Sequence, residues 1–184
     1  MSGRPTPRTR DESVAVAEAA IHAVMGGTLA DHSAVVHPDA TNRESATEPP
    51  STRGCGPRAF HATGEWLREA FADLTWTTDL SVVEGDLVVT YGRMSGRHTG
   101  NFVVWTEGAK VARVFVPTGA TVSVQQAHFQ RIRDGLVIEH WAVRDDQGMA
   151  AQAGWLPPTP GYLIRCALAT SAFWPRCPCS IPMA

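Results

Sequence analysis

No stretch of this sequence is apolar over the roughly 20 residues that a membrane-spanning helix needs. The first residues, MSGRPTPRTRDES, are basic but lack the apolar core of a secretory signal. Both absences lead to the expectation of a cytoplasmic protein without a membrane partner. There is no basic stripe with interleaved aromatics. The 16 Lys and Arg residues are dispersed and the net charge is −2, so there is no electrostatic case for a nucleic-acid partner. Cysteine is scarce. Cys55, Cys166, Cys177 and Cys179 would form no disulfide framework in a reducing compartment. Cys177 and Cys179 flank one proline with no further ligands at suitable spacing, so they read as solvent-facing tail thiols and no metal site is expected. Cys55 lies in a Gly-rich loop without a nearby base and is not a candidate nucleophile. No internal repeat is present.

What is present suits one domain with tails: 184 residues, 43% hydrophobic and 18% charged. Residues 1–12, rich in Pro, Arg and Thr, read as a disordered tail. From Ser13, the spacing of Val14, Ala17, Ile21 and Val24 predicts a helix, weakened or ended by Gly26 and Gly27. His37-Pro38-Asp39 reads as a turn or short helix start, and residues 41–58 as a loop. A second helix follows Pro57, with Phe60, Trp66, Leu67, Ala70 and Phe71 as its apolar stripe. After Asp73 the period drops to two. Two strands joined at Gly85-Asp86 are predicted, then short strands at 102–105 and 111–116, a turn at Pro117-Thr118-Gly119, and a hairpin. Arg144-Asp145-Asp146 can open a short helix, with an aspartate near its N-terminus. Pro157, Pro158 and Pro160 stop regular structure, and residues 161–174 read as a last, loosely attached helix. Helices followed by a meander give an α+β domain over 13–157, with 158–184 as a C-terminal extension.

The hairpin carries the chemistry. Gln126, His128 and Gln130 alternate before its turn, and Ile138, His140 and Ala142 alternate after it, so each set shares a strand face. A three-residue loop, Arg133-Asp134-Gly135, would pair Ile132 with Leu136, set His128 opposite His140, and set Gln126 opposite Ala142. A two-residue Asp-Gly turn would instead set His128 opposite Trp141. The longer loop is the favoured reading. It groups the polar side chains on one face and puts Phe129, Val137 and Trp141 on the other. Two imidazoles and two amides on one face suit ligand binding or acid–base chemistry near neutral pH.

A series of short motifs runs in order through the chain. They are His37-Pro38-Asp39 with Asn42 and Glu44; Arg53-Gly54; Phe71-Ala72-Asp73-Leu74; Glu84 through Val89; Gly96 through Gly100; Pro117-Thr118-Gly119; and Phe129 through Gly148. In this order they resemble the SnoaL-like polyketide cyclases, or ester cyclases, of the nuclear transport factor 2-like superfamily, over roughly residues 14 to 156. The resemblance implies a cone: a curved antiparallel sheet with N-terminal helices enclosing one deep pocket. It implies closure of a polyketide ester ring by intramolecular aldol condensation, a cyclase or isomerase-type lyase reaction needing no metal or cofactor. It further implies an acid/base aspartate in the last strand near a histidine in the strand before.

The histidine position matches His128, but the aspartate position matches Ala142, which moves no proton. Asp145 and Asp146 are candidate replacements, and His140 is a second candidate base. Gln126 is a candidate donor to the developing oxyanion, Asn42 a candidate to orient a substrate carbonyl, and His98 a candidate at the pocket mouth. Trp66 heads the aromatic residues that could line a site for a flat ring system. The expected substrate is a small apolar or aromatic polyketide-like molecule. The expected assembly is a homodimer covering the sheet face that carries Trp141. Alternatives are a non-catalytic small-molecule-binding domain, a hydrolase or dehydratase relative, or a structural dimerisation module.

Overall fold

A computed structural model describes residues 9–173. Helix α1 (Arg10–Gly26) starts three residues earlier than periodicity predicts, because Thr9 and Glu12 cap it reciprocally. Residues 10–12 therefore belong to the helix rather than to the expected tail, and residues 1–8 lie outside the described residues. The helix ends at Gly26, where Gly27 packs so closely on Ala23 that a Cβ would sit 2.7 Å from its Cα. A second capping box, Thr28 with Asp31, starts α2 (Leu29–Val35). The first helix thus ends at the Gly26-Gly27 pair, and a second, short one follows it.

Strand β1 (Val36–Asn42) contains His37-Pro38-Asp39, expected as a turn or short helix start. Pro38 is tolerated because β1 is an edge strand. Two 3₁₀ turns, Arg43–Thr47 and Pro50–Thr52, lead to α3 (Pro57–Ala70), which carries the expected apolar stripe. Then come β2 (Phe71–Glu84), β3 (Leu87–His98), β4 (Phe102–Trp105), β5 (Val111–Phe115), β6 (Thr121–Arg133), β7 (Leu136–Arg144), α4 (Asp146–Gln152) and α5 (Pro160–Ala172). The main sheet has the order β1-β7-β6-β3-β2. All its pairs are antiparallel except β1 with β7, which is parallel, so the sheet is mixed rather than purely antiparallel. Register shifts in β2 and β7 bend the strands. β4 and β5 form a separate ribbon.

The β6–β7 hairpin departs from its predicted register. The turn is the two-residue one: Arg133 pairs with Leu136, and Asp134 and Gly135 both have positive φ. A bulge at Ile138 then shifts the register, so that Gln130 faces His140 and His128 faces Ala142. Turn and bulge together return the polar residues to one face. Gln126, His128 and Gln130 share the concave side with His140. The two-residue turn also puts Val137, which precedes the bulge and pairs with Ile132, onto that side, opposite to expectation, where it is fully buried and lines the cavity. Phe129 and Trp141 stack on the outer side, their ring centres 5.2 Å apart.

Two apolar clusters close the concave side. One joins Trp66, Phe71, Phe102 and Trp155; the other joins Ile21, Met25, Trp76, Met94 and Val124. Helix α5 packs on β5, where Thr170 Oγ1 accepts from the Val114 N–H and the Tyr162 hydroxyl donates to Val116 O. Cys177 and Cys179 lie outside the described residues.

Candidate active site

The concave face of the sheet, α1, α3, α4 and the β4–β5 ribbon enclose a cavity of about 360 Å³. That volume is in the range of small-molecule sites. Most of its wall is apolar, from Ile21 and Met25 on α1, Phe60 and Trp66 on α3, Met94 and Val124 on the sheet, and Phe102 and Phe115 on the ribbon. Its polar groups gather where β1, β6 and β7 run side by side.

There a continuous chain of side chains crosses the strands. Thr63 Oγ1 donates to Glu48 Oε2 at 2.6 Å, and Asn42 Nδ2 donates to Glu48 Oε1 at 3.4 Å. Asn42 Oδ1 lies 2.9 Å from His140 Nδ1, and His140 Nε2 lies 2.9 Å from His128 Nδ1. His128 Nε2 lies 2.9 Å from Gln126 Oε1. The two imidazoles lie nearly parallel, with centroids 5.3 Å apart. Trp76 meets His128 edge-on and Phe60 meets His140 in the same way.

Proton positions follow from the donors. The backbone N–H of Glu44 donates to Asn42 Oδ1, which identifies that atom as the amide oxygen. His140 Nδ1 must therefore carry a hydrogen. Burial, with the nearby Arg144 charge second, pushes the His140 pKa down to about 3, so the ring is neutral and its Nε2 accepts. His128 Nδ1 then donates to it. Burial also holds His128 well below the usual histidine range, with the adjoining His140 imidazole and the Arg144 charge adding to the effect. Its Nε2 is thus a bare lone pair facing Gln126. With Oε1 toward the ring, as it stands, Gln126 Nε2 reaches Met94 Sδ at 3.6 Å. That orientation suits a proton on His128 Nε2; a half-turn presents the amide NH₂ to the neutral ring.

Arg144 lines the cavity, donates to Glu44 Oε2 at 2.8 Å, and lies 3.8 Å from Asp146. Glu44 Oε1 accepts from the Ala142 N–H. Gln130 also lines the cavity, and its Oε1 is buried without a partner. Among the described residues, no three His, Cys, Asp or Glu side chains converge as a metal site would require.

The structure brings Asn42, Gln126, His128, His140 and Trp66 to this one cavity. It gives Asn42 a different task from the expected one, since its carboxamide is committed to His140, Glu44 and Glu48. Trp66 packs on Phe102 and donates to Val103 O. Asp146 reaches the cavity rim with its side chain 71% exposed. Asp145 is the N-cap of α4, accepts from Gly148 N, and is exposed, so it is no replacement for the missing carboxylate. His98 is not at the mouth. It is fully buried under Phe71 and Trp155, with Nδ1 near Thr118 Oγ1, and burial lowers its pKa. Sequence reasoning missed Arg144, although it follows His140 and Ala142 at strand spacing. It also missed Glu48, for which its Pro- and Ser-rich loop gives no periodic signal.

Residues 15–153 match the family of SnoaL-like polyketide cyclases. The chain is 29% identical to the nogalonic acid methyl ester cyclase of Streptomyces nogalater, over 73% of this chain and 91% of that protein. It is 30% identical to the aklanonic acid methyl ester cyclase DnrD of Streptomyces peucetius, over 76% and 89%. Among solved structures, TsrD from Streptomyces laurentii superposes with a TM-score of 0.65 at 26% identity, covering 81% of this chain and 99% of that one. IdmH from Streptomyces antibioticus shares the fold, with a TM-score of 0.59 at 24% identity over 77% and 98%. The fold is the α+β cone of the nuclear transport factor 2-like proteins. The chain belongs to the SnoaL-like polyketide cyclase family.

Proposed function

We propose that this protein closes a ring in a polyketide ester by intramolecular aldol condensation, with His128 as the base. The observation that carries this reading is the Asn42–His140–His128–Gln126 chain at the polar end of an otherwise apolar cavity. The His128 Nε2 lone pair takes the proton of a carbon acid, and the C–H electron pair passes into an enolate. The enolate carbon attacks the second carbonyl. The resulting alkoxide takes the proton back from His128, so the product has the mass of the substrate. Gln126, released from His128, and Gln130 supply amide N–H groups to the developing oxyanion, and Arg144 supplies positive charge at the same end. The flat apolar wall around Phe60, Trp66 and Phe102 accommodates fused rings.

The domain carrying this activity runs from the start of α1 at Arg10 to residue 157, with 158–184 as an extension. The protein works as a cytoplasmic homodimer. An apolar outer sheet face supports the dimer. Aklanonic acid methyl ester is the first probe substrate, because a relative is named for it. Incubation followed by chromatography and mass spectrometry should yield a new product of unchanged mass, lost in His128→Ala. Ala142 favours a second reading, a binding domain that does no chemistry. Under that reading the ester binds and is recovered unaltered, and this result would sink the cyclase proposal.

A further inference from the structure

The carboxylates around the imidazole pair differ in what they can do. Asp145 caps a helix, Asp146 sits exposed at the rim, and Glu44 divides its oxygens between Arg144 and the Ala142 N–H. Glu48 alone among the described residues is a carboxylate joined to the imidazole chain by a hydrogen bond. It is 2% exposed, and both of its oxygens are engaged by neutral donors, Asn42 Nδ2 and Thr63 Oγ1. Its own backbone oxygen accepts from Arg53, which also binds the backbone of Ala46 and Thr106 and so fixes the loop that carries it.

We propose that Glu48 is the positioning carboxylate of this site: through Asn42 it holds His140 in the Nδ1–H form, and its charge supports the imidazolium that forms at His128. The catalytic meaning of this assignment rests on the acid–base reading above. The chain has direction. Glu48 accepts from the Asn42 amide, so Asn42 must present its oxygen to His140. His140 must then present a lone pair to His128, and His128 keeps its other lone pair for the substrate. Without the carboxylate, the Asn42 amide gains freedom to invert, and the tautomer of His140 is set only by the Glu44 N–H. Burial raises the Glu48 pKa, while its hydrogen bonds to Thr63, Thr52 and Asn42 and the charge of Arg144 oppose that rise.

The groups facing this array come from each neighbouring element. β7 gives Arg144, which is paired with Glu44 from the turn after β1 and with Asp146 from α4. α3 gives Phe60 and Thr63, β2 gives Trp76, and β3 gives Thr90, which lies opposite His128. Glu48 is thus the acidic group whose removal changes the charge at the imidazoles while leaving the Arg144 pairs in place.

The test is imidazole ¹⁵N NMR of the full chain, which needs no substrate. In the native protein near pH 7.5, both rings should be neutral Nδ1–H tautomers. In Glu48→Met, which removes the acceptor for Asn42, part of the His140 ring should pass to the Nε2–H tautomer. With aklanonic acid methyl ester near pH 7.5, Glu48→Gln, which removes the charge and keeps the size and one acceptor, should lose about ten-fold in kcat with little change in KM. A merely structural role predicts neither the tautomer change nor a loss confined to kcat. Should Glu48→Met fail to fold, the Glu48→Gln kinetics still decide. A His140 Nε2–H tautomer in the native protein, or an unchanged kcat in Glu48→Gln, overturns the proposal. Correct tautomers in the native protein and a tautomer change in Glu48→Met, in a protein that converts no polyketide ester, would leave Glu48 in its role and reject the cyclase reading instead.

Discussion

At the scale of single residues, the two imidazoles of the site are kept uncharged by burial until chemistry requires otherwise. Because His128 is neutral at working pH, its lone pair is available without any proton having to leave first. Removing it should cost on the order of 10²–10⁴-fold in kcat, the usual weight of one general base, and His128→Ala steady-state kinetics read this directly. The same burial has a cost in acid. His32, His98, His128 and His140 all have pKa values below the unfolded reference of 6.5. Below about pH 6.5 the unfolded chain takes up protons at these positions that the native chain refuses, so stability falls with pH, down to about 3 for His140. Glu48 acts oppositely, since a raised carboxyl pKa lets the native state bind its proton first in the window just above 4.5. One carboxyl against four histidines leaves the net slope downward. The melting temperature should therefore drop steadily between pH 7 and pH 5, and a flat profile by circular dichroism would refute the neutral-imidazole description. Much of this polar array was legible, because Gln126, His128 and His140 stand at strand spacing. Glu48 was not, because a carboxylate in an irregular loop shows its purpose only when the loop is folded over β1.

Among the elements, the β6–β7 hairpin shows how a face is specified more strongly than a register. Alternation places the polar residues of each strand on one side of that strand, while turn and bulge together decide that the two sets meet. The turn itself depends on whether the chain takes positive φ at both Asp134 and Gly135, as the two-residue turn does, or at Gly135 alone, as a three-residue loop would. The two-residue turn won, and a bulge at Ile138, invisible to a period-two reading, restored the parity. β1 was illegible for a related reason. His37-Pro38-Asp39 has turn chemistry, and only an edge position parallel to β7 makes it a strand. The long strands and α3 were readable because their periods are regular. Curvature rests on particular close approaches. Gly92 of β3 faces the bulged part of β2, where a Cβ would lie 2.2 Å from Thr77 O and 2.7 Å from the Trp76 ring. Trp76 in turn stands against His128. Gly92→Ala should therefore destabilise the fold by about 1–3 kcal/mol, as overpacking does. Urea denaturation gives that number. A neutral outcome would mean that the sheet bends without needing this contact.

For the whole molecule, the decisive surface is the outer face of the same strands. Two cross-strand rows lie side by side there. One runs Leu80, Tyr91, Ala127, Val143; the next runs Val82, Val89, Phe129, Trp141. Leu80, Val82 and Val143 are 50%, 53% and 66% exposed, which is much for aliphatic side chains in neighbouring rows of one sheet. Charges border the rows: Arg43 stands over Trp141, and Arg131 bridges Asp86 and Glu139. An apolar centre within a charged rim is the anatomy of a protein–protein contact. Such a face is self-complementary about a two-fold axis, and the homodimer proposed above would use it. The competing surface is α5, which exposes Leu163, Ile164 and Leu168 on one short helix. The two surfaces predict different outcomes. Sedimentation of the native chain should give a dimer. Val82→Lys with Val143→Lys, on strands that keep their inner packing, should give a folded monomer, because like charges would meet across the axis. Ile164→Lys should leave the dimer intact. A dimer lost with Ile164→Lys and retained with the sheet variant would move the contact to α5, and the rows on the sheet would then need a different occupant.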